Sequence, residues 1–151
     1  MAESKIKFSE EVRVFVYGTL KPGEANYKRY CADKIVDVKR AFAAGKLFGL
    51  PMGYPAMTLG DAQVHGYLLS FTNPGILNEL DVLEDYQPTR AISENLYYRQ
   101  IIEIYDLQGL SFSWAWVYLM TPERVYQLRG VPQLDGWWSG CGLMPKFSYE
   151  L

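Results

Sequence analysis

The sequence predicts an α+β fold, in which a small antiparallel or mixed β-sheet that could close into a barrel is flanked by short helices. β-Branched and aromatic segments recur along the chain, and most of them follow one another without a helix between them. Aromatic residues make up 15% of the 151 residues, which favours β-structure. This length usually corresponds to one domain, so we expect a single domain over residues 1–151 with its core at about 12–120.

The strands are predicted from runs of apolar, β-branched and aromatic residues that end at glycine, proline or aspartate. In chain order these runs cover residues 12–17, 35–50, 63–71, 96–105 and 112–120. The run at 35–50 contains two glycines, so we expect this strand to be bent or bulged. The last two runs should form a hairpin with its turn near 106–109.

Short helices are predicted between the strands, at residues 26–32, at 74–85 and after Thr121. Asn73 and Pro74 are typical of an N-cap and a first helical residue, so the second helix should begin there. The segment at 51–55 reads as a turn. The chain after residue 130 is rich in glycine and proline, and we expect an irregular tail packed by its tryptophans.

The charge and hydropathy of the chain exclude several classes of partner. The net charge of −2 offers no basic surplus for a phosphate backbone, so no nucleic-acid partner is expected. The longest apolar stretch, near 112–120, is too short to span a bilayer, and residues 1–11 are too polar for a signal peptide. Cys31 and Cys141 form no motif and are expected to be reduced thiols. Together these features predict a cytoplasmic protein.

The same residues give little support to cofactor chemistry. His65 is the only histidine, the cysteines lack ligand spacing, and no Asp-x-Asp cluster occurs, so no metal site is predicted. A Gly-x-Ser-x-Gly elbow and the glycine-rich nucleotide-binding sequences are also missing. We therefore expect neither a metal nor another cofactor.

A glycine turn after the first strand is one candidate site. Gly18 follows Tyr17 directly, which allows a sharp turn that exposes the N–H groups of residues 18–20. Such groups bind a carboxylate or the oxyanion of a tetrahedral intermediate, and the sequence leaves both possibilities open. A purely structural turn is the alternative interpretation.

Glu84 is the second candidate. Four residues define the apolar stripe of the helix at 74–85: Ile76, Leu77, Leu80 and Leu83. At about 100° per residue, Glu84 falls about 80° from Ile76 and so within this stripe. Its acidic neighbours fall outside the stripe: Glu79, Asp81 and Asp85. Burial would raise the pKa of Glu84 and make it a better general base, whereas a frayed helix end would leave it in water.

Six short segments resemble, in order, the γ-glutamylcyclotransferase-like (AIG2-like) family. They read VFVYGTLKPG at 14–23, YPA at 54–56, VHGYL at 64–68, LDVLE at 80–84, YYR at 97–99 and WVY at 116–118. The resemblance implies a small β-barrel flanked by short helices. It also implies a metal-independent enzyme that converts a γ-glutamyl amine or γ-glutamyl amino acid to 5-oxoproline and releases the amine. The chain departs from the family pattern at Asp85, where glycine is usual.

The resemblance assigns roles to residues of this chain. The catalytic general acid and base is Glu84, and the substrate contacts are Tyr17, Gly18, Thr19, Leu20 and Tyr97. It implies a small-molecule γ-glutamyl substrate and no cofactor, and we expect a monomer or a weak homodimer. Two other readings remain open: a non-catalytic small-molecule binding module of the same fold, and an interaction domain that uses the tryptophans of residues 135–141.

Overall fold

A computed structural model describes residues 11–138 of the chain, and its strands and helices confirm the predicted α+β class. The six strands are β1 Val12–Val16, β2 Ile35–Gly49, β3 Pro55–Phe71, β4 Tyr98–Tyr105, β5 Ser111–Leu119 and β6 Val131–Pro132. The helices are α1 Ala25–Tyr30, α2 Ile76–Leu83 and α3 Pro122–Gln127, with a 3₁₀ turn at Ile92–Glu94.

The strands form one sheet in the order β3-β1-β5-β4-β2-β6, and β2 also pairs with β3. This extra pairing closes β1 to β5 into a barrel-like ring. Every pairing is antiparallel except that of β1 with β5, which is parallel at Val14 and Trp116. Aliphatic and aromatic side chains fill the core, and α2 adds Ile76 and Leu80 to it.

β1 pairs with β3 on one side and with β5 on the other. The candidate glycine turn starts directly after this strand. A Cβ at Gly66 of β3 would lie 2.1 Å from the carbonyl oxygen of Val16, the last residue of β1. Only glycine therefore permits the two strands to approach this closely.

The boundaries of the five predicted strands agree with the structure to within two residues, except that β3 begins eight residues before the predicted start at 63. The short strand β6 was not predicted: it pairs with β2 where an irregular tail was expected. The register of β3 against β2 shifts where Gly45 pairs with Ala62 and Lys46 with Thr58. Residues 59–61 bulge out of the ladder there. For this reason the sequence pattern did not indicate that the strand extends to Pro55. The predicted irregularity of β2 and the β4–β5 hairpin are both confirmed.

The prediction that Asn73 caps the second helix was wrong. The helix begins at Ile76 with Gly75 as its N-cap residue. Asn73 instead accepts a hydrogen bond from the Gly75 N–H at 2.8 Å, which is a local turn that precedes the helix. Helix α3 does begin directly after Thr121 as predicted, and Thr121 is its N-cap residue, because its hydroxyl accepts from the Arg124 N–H.

No helix among residues 11–138 is long and apolar enough to cross a membrane.

Candidate functional site

The turn after β1 is tight, and three of its N–H groups have no acceptor within the described part of the chain. The Lys21 N–H donates to the Gly18 carbonyl at 3.0 Å and closes the turn. A Cβ at Gly18 would lie 2.4 Å from Cγ of Pro55, so a larger residue would displace one or the other. Among the hydrogen bonds of residues 11–138, none has the N–H of Gly18, Thr19 or Leu20 as its donor. These amides are therefore available to an anionic ligand.

Glu84 lies at the other side of the site, as the C-cap residue of α2. Its N–H donates to the Leu80 carbonyl at 2.9 Å, so its position is fixed by the last helical turn. The side chain is partly exposed, and burial of its carboxyl raises its pKa from 4.5 to about 7. A carboxyl group with this pKa can both accept and return a proton near neutral pH.

The chain reverses direction immediately after Glu84. Asp85 has a φ of 54°, a left-handed conformation that glycine adopts without strain and aspartate tolerates. This is the position at which the related family usually has glycine. Arg90 donates to the Asp85 carbonyl at 2.9 Å and to its carboxylate at 3.1 Å. The aspartate is therefore held in this conformation by side-chain contacts.

One cavity of about 210 Å³ brings the predicted site residues together. Its lining includes all six of them: Tyr17, Gly18, Thr19, Leu20, Glu84 and Tyr97. The volume is below the roughly 300–1,000 Å³ of pockets for drug-sized ligands, so the cavity suits a small group. The structure thus shows that the residues share a cavity, while their chemical roles stay predictions.

Tyrosine side chains form much of the cavity wall. The Tyr17 hydroxyl donates to the Tyr118 carbonyl at 2.6 Å, and the Tyr97 hydroxyl donates to the Pro55 carbonyl at 2.7 Å. Burial is the main cause that raises the pKa of both phenols; the next cause is Tyr97 and then Glu84 for Tyr17, and Glu84 for Tyr97. Both are therefore neutral at physiological pH, and their oxygens can still accept a hydrogen bond from a ligand.

Sequence reasoning missed a buried ion pair beside Glu84. The helical wheel placed Asp81 outside the apolar stripe, yet Asp81 is only 8% exposed. Its carboxylate accepts from Nε of Arg99 at 2.8 Å and from the Tyr118 hydroxyl at 2.7 Å. Buried carboxylates are almost always paired, so Arg99, which follows two tyrosines in a predicted strand, was a usable signal for a buried acidic partner.

The predicted packing role of the tail can be described as far as residue 138. Trp138 is buried in the core, and its carbonyl accepts a hydrogen bond from the Lys21 ammonium. The same ammonium lies 3.8 Å from the ring centroid of Trp137. The tail is therefore attached to the end of the Gly18 turn. Residues 139–141, which completed the predicted interaction segment, lie outside the described residues.

Metal-binding geometry is not found in the part of the chain that the structure describes. No group of three or more histidine, cysteine, aspartate and glutamate side chains between residues 11 and 138 is arranged to hold a metal ion. Of the two acids at this site, Asp81 forms an ion pair with Arg99, and Glu84 is the only acid among the residues that line the cavity.

Comparisons with known proteins give the family and the fold. The family model described as "Gamma-glutamyl cyclotransferase, AIG2-like" matches residues 14–140. The gamma-L-glutamyl-butirosin B gamma-glutamyl cyclotransferase of Niallia circulans is 31% identical over 105 residues, which span 70% of this chain and 65% of that relative. The match thus covers slightly less than two thirds of the relative's length.

Solved structures share the fold at low sequence identity. The crystal structure of an AIG2-like protein from Mus musculus has a TM-score of 0.62 and 21% identity, over 85% of this chain and 88% of that one. Kluyveromyces lactis allophanate hydrolase has a TM-score of 0.54 and 11% identity, over 82% of this chain and 19% of that one. At these identities the likeness concerns the fold alone.

Proposed function

The chain belongs to the gamma-glutamyl cyclotransferase, AIG2-like family, and from this membership we propose that it cyclises a γ-glutamyl amine or γ-glutamyl amino acid to 5-oxoproline. One observation carries the proposal. A carboxyl group with a pKa of about 7 lines the same small cavity as a turn whose three N–H groups have no hydrogen-bond acceptor among residues 11–138. This pairs a base with an anion-binding element, as acyl transfer requires.

The proposed reaction occurs within one substrate molecule. The α-amino nitrogen attacks the γ-carbonyl carbon and forms the ring C–N bond, and the bond from that carbon to the departing nitrogen breaks. Glu84 takes one proton from the α-ammonium group before the attack and a second from the ring nitrogen after it, and it passes both to the departing amine, which leaves as an ammonium ion. Because nucleophile and electrophile share one chain, the enzyme mainly has to hold the substrate in a folded conformation.

Two features of the cavity support this assignment of the base. Glu84 is the only charged residue among the lining residues, so no cation in the described part of the chain lines the cavity to hold it permanently ionised. The oxygens of Tyr17 and Tyr97 remain able to accept a hydrogen bond from the substrate ammonium, since each hydroxyl hydrogen is already donated to a carbonyl.

The amides of residues 18–20 bind a substrate oxygen, either the α-carboxylate or the oxyanion that forms on the γ-carbonyl. These roles differ in kinetics, because a ground-state contact affects KM and a contact made only in the transition state affects kcat. Thr19→Pro removes one N–H, and its effect on KM and kcat separates the two roles once the fold of the variant has been checked. No cofactor or metal takes part in the proposed reaction.

The test is incubation of the protein with a panel of γ-glutamyl amines and γ-glutamyl amino acids, with detection of 5-oxoproline. Glu84→Gln should lower turnover by about 10²–10⁴-fold, which is the usual contribution of a general base. Glu79→Gln is the matched control, since Glu79 lies on the exposed face of α2 and pairs only with Lys34 at the surface. It should keep near-normal activity.

The non-catalytic binding module is the other outcome of this test. It would bind γ-glutamyl compounds in calorimetry without producing 5-oxoproline, and Glu84→Gln would change affinity alone. Full activity of Glu84→Gln would refute the catalytic assignment.

A further inference from the structure

The buried carboxylate of Asp81 joins three elements of the fold. It lies on α2 and accepts two hydrogen bonds from Arg99 of β4, from Nε at 2.8 Å and from Nη2 at 3.2 Å. It also accepts from the hydroxyl of Tyr118 on β5 at 2.7 Å. Arg99 in turn lies over the ring of Trp116, with its Cζ 4.4 Å from the ring centroid. The guanidinium is therefore fixed on both sides.

Asp81 is also part of the backbone that ends α2. Its carbonyl accepts from the Tyr86 N–H at 2.9 Å, so the chain from 81 to 86 forms a closed loop around Glu84. Residues three positions apart on a helix have Cβ atoms about 5–6 Å apart, so Asp81 and Glu84 occupy neighbouring positions at the end of α2. A negative charge at such a position raises the pKa of a nearby carboxyl group unless a cation balances it.

We propose that the Asp81–Arg99 ion pair is a positioning element for Glu84, which holds the end of α2 against β4 and β5 and balances the charge of Asp81. The inference rests on the proposed function, since it assigns two tasks to the pair. The pair keeps the Glu84 base in place, and it keeps the pKa of Glu84 near neutral pH. Neither residue lines the cavity, so the pair acts through Glu84 rather than on the substrate.

The surroundings of Glu84 support this assignment. The groups facing it are the phenols of Tyr17, Tyr97 and Tyr118, which are neutral because burial raises the pKa of each. Asp85 follows it in the chain, but its side chain is exposed and paired with Arg90 at 3.1 Å. Asp81 is thus the buried charge nearest to Glu84 along α2, and Arg99 is its counter-ion.

If Arg99 balances the charge of Asp81, the pH dependence of kcat/KM should change in its variants. If the pair only supports the fold, this pH dependence should stay the same. Arg99→Gln leaves the Asp81 carboxylate unbalanced, which should raise the pKa of Glu84 and move the acid limb of kcat/KM to higher pH by about one unit. Asp81→Asn leaves the guanidinium unbalanced and should move the limb to lower pH. The double variant Asp81→Asn/Arg99→Gln carries neither charge and should return the limb to within a few tenths of a unit of the original.

The experiment measures 5-oxoproline release against pH for these three variants and for Arg99→Lys, with circular dichroism to check the fold of each. Arg99→Lys keeps the charge but loses the planar fork, so we expect an unmoved limb and a kcat reduced about tenfold or more by misplacement of the base. Where Arg99→Gln does not fold, Arg99→Lys and the double variant carry the test. Unmoved limbs in the folded single variants, or a normal kcat in Arg99→Lys, would overturn the inference.

A second measurement separates this inference from the proposed function. Carboxyl-labelled glutamate allows the titration of Glu84 to be followed by NMR without any turnover, with Glu84→Gln used to assign the signal. If the wild-type protein releases no 5-oxoproline but the titration still moves in opposite directions in the two single variants, the proposed function fails and the charge balance holds. If turnover is normal and the titrations do not move, only the charge balance fails.

Discussion

Glu84→Gln should make the folded protein more stable while it removes activity. The carboxyl group of Glu84 has an ordinary pKa of 4.5, and burial raises it to about 7 in the folded protein. The ionised form is therefore disfavoured by folding. Glutamine has a similar shape and cannot ionise, so it avoids this cost at any pH. A residue kept for chemistry at the expense of stability is expected to behave in this way.

The size of the effect follows from the two pKa values. Each pH unit corresponds to about 1.4 kcal/mol, so the interval from 4.5 to about 7 amounts to about 3 kcal/mol. Below pH 4.5 the group is protonated in both the folded and the unfolded state, and the cost is absent. It grows as the pH rises between the two values and is complete above pH 7. For a domain of this size, 3 kcal/mol corresponds to a rise in Tm of about 6–12 °C.

The assay is thermal or urea unfolding of the wild-type protein and the variant at pH 5 and at pH 8. The free-energy gain of Glu84→Gln at pH 8 should exceed its gain at pH 5 by about 2 kcal/mol. Comparison of the two pH values cancels any constant effect of the amide group. Glu79→Gln serves as the control and should show a difference below about 1 kcal/mol, because its ion pair with Lys34 is exposed. A pH-independent gain, or a loss at pH 8, would refute the burial of Glu84.

Four further outcomes are expected. The kcat/KM for 5-oxoproline release should fall about tenfold per pH unit below pH 7, since only ionised Glu84 accepts a proton; a flat profile down to pH 5 would contradict this. Asp85→Gly should preserve activity and change stability by no more than about 1 kcal/mol in urea unfolding, because relief of the left-handed conformation offsets the flexibility of glycine and the lost contacts with Arg90. Gly18→Ala should destabilise the protein by about 1–3 kcal/mol and lower turnover, since its Cβ would lie 2.4 Å from Cγ of Pro55; normal values for both would show that the turn yields easily. Activity should survive treatment with EDTA, and loss of activity that a divalent ion restores would show that a metal takes part.

The sequence was sufficient for the fold class and for the main candidates because both depend on local patterns. The β4–β5 hairpin follows from two β-branched runs and the turn between them, and it is present in the structure. Glu84 was found because one acid lies among leucines at helical spacing. The turn at Gly18 was found because a glycine directly follows an apolar strand.

Other parts of the site depend on partners that are distant in sequence. Asp81 lies beside the apolar stripe on a helical wheel, and nothing local distinguishes it from the exposed Glu79. Its burial becomes favourable only because Arg99, from a different strand, supplies two hydrogen bonds and a charge. The start of β3 was missed for a related reason, since residues 59–61 have no partner in the ladder and the strand is continued on either side of them only by pairing with β2.

The two halves of the candidate site meet through a single residue of β5. The backbone carbonyl of Tyr118 accepts the hydroxyl of Tyr17, which directly precedes the glycine turn. Its own hydroxyl donates to Asp81, one turn before Glu84. Because β5 is paired on both sides and Tyr118 is buried, the separation of the amide turn and the base is set by the sheet rather than by the loops. The Gly18 turn and Glu84 are about 65 positions apart in sequence, so no local interaction brings them together. The contacts of Tyr118 with Tyr17 and Asp81 explain how the turn and Glu84 line one small cavity.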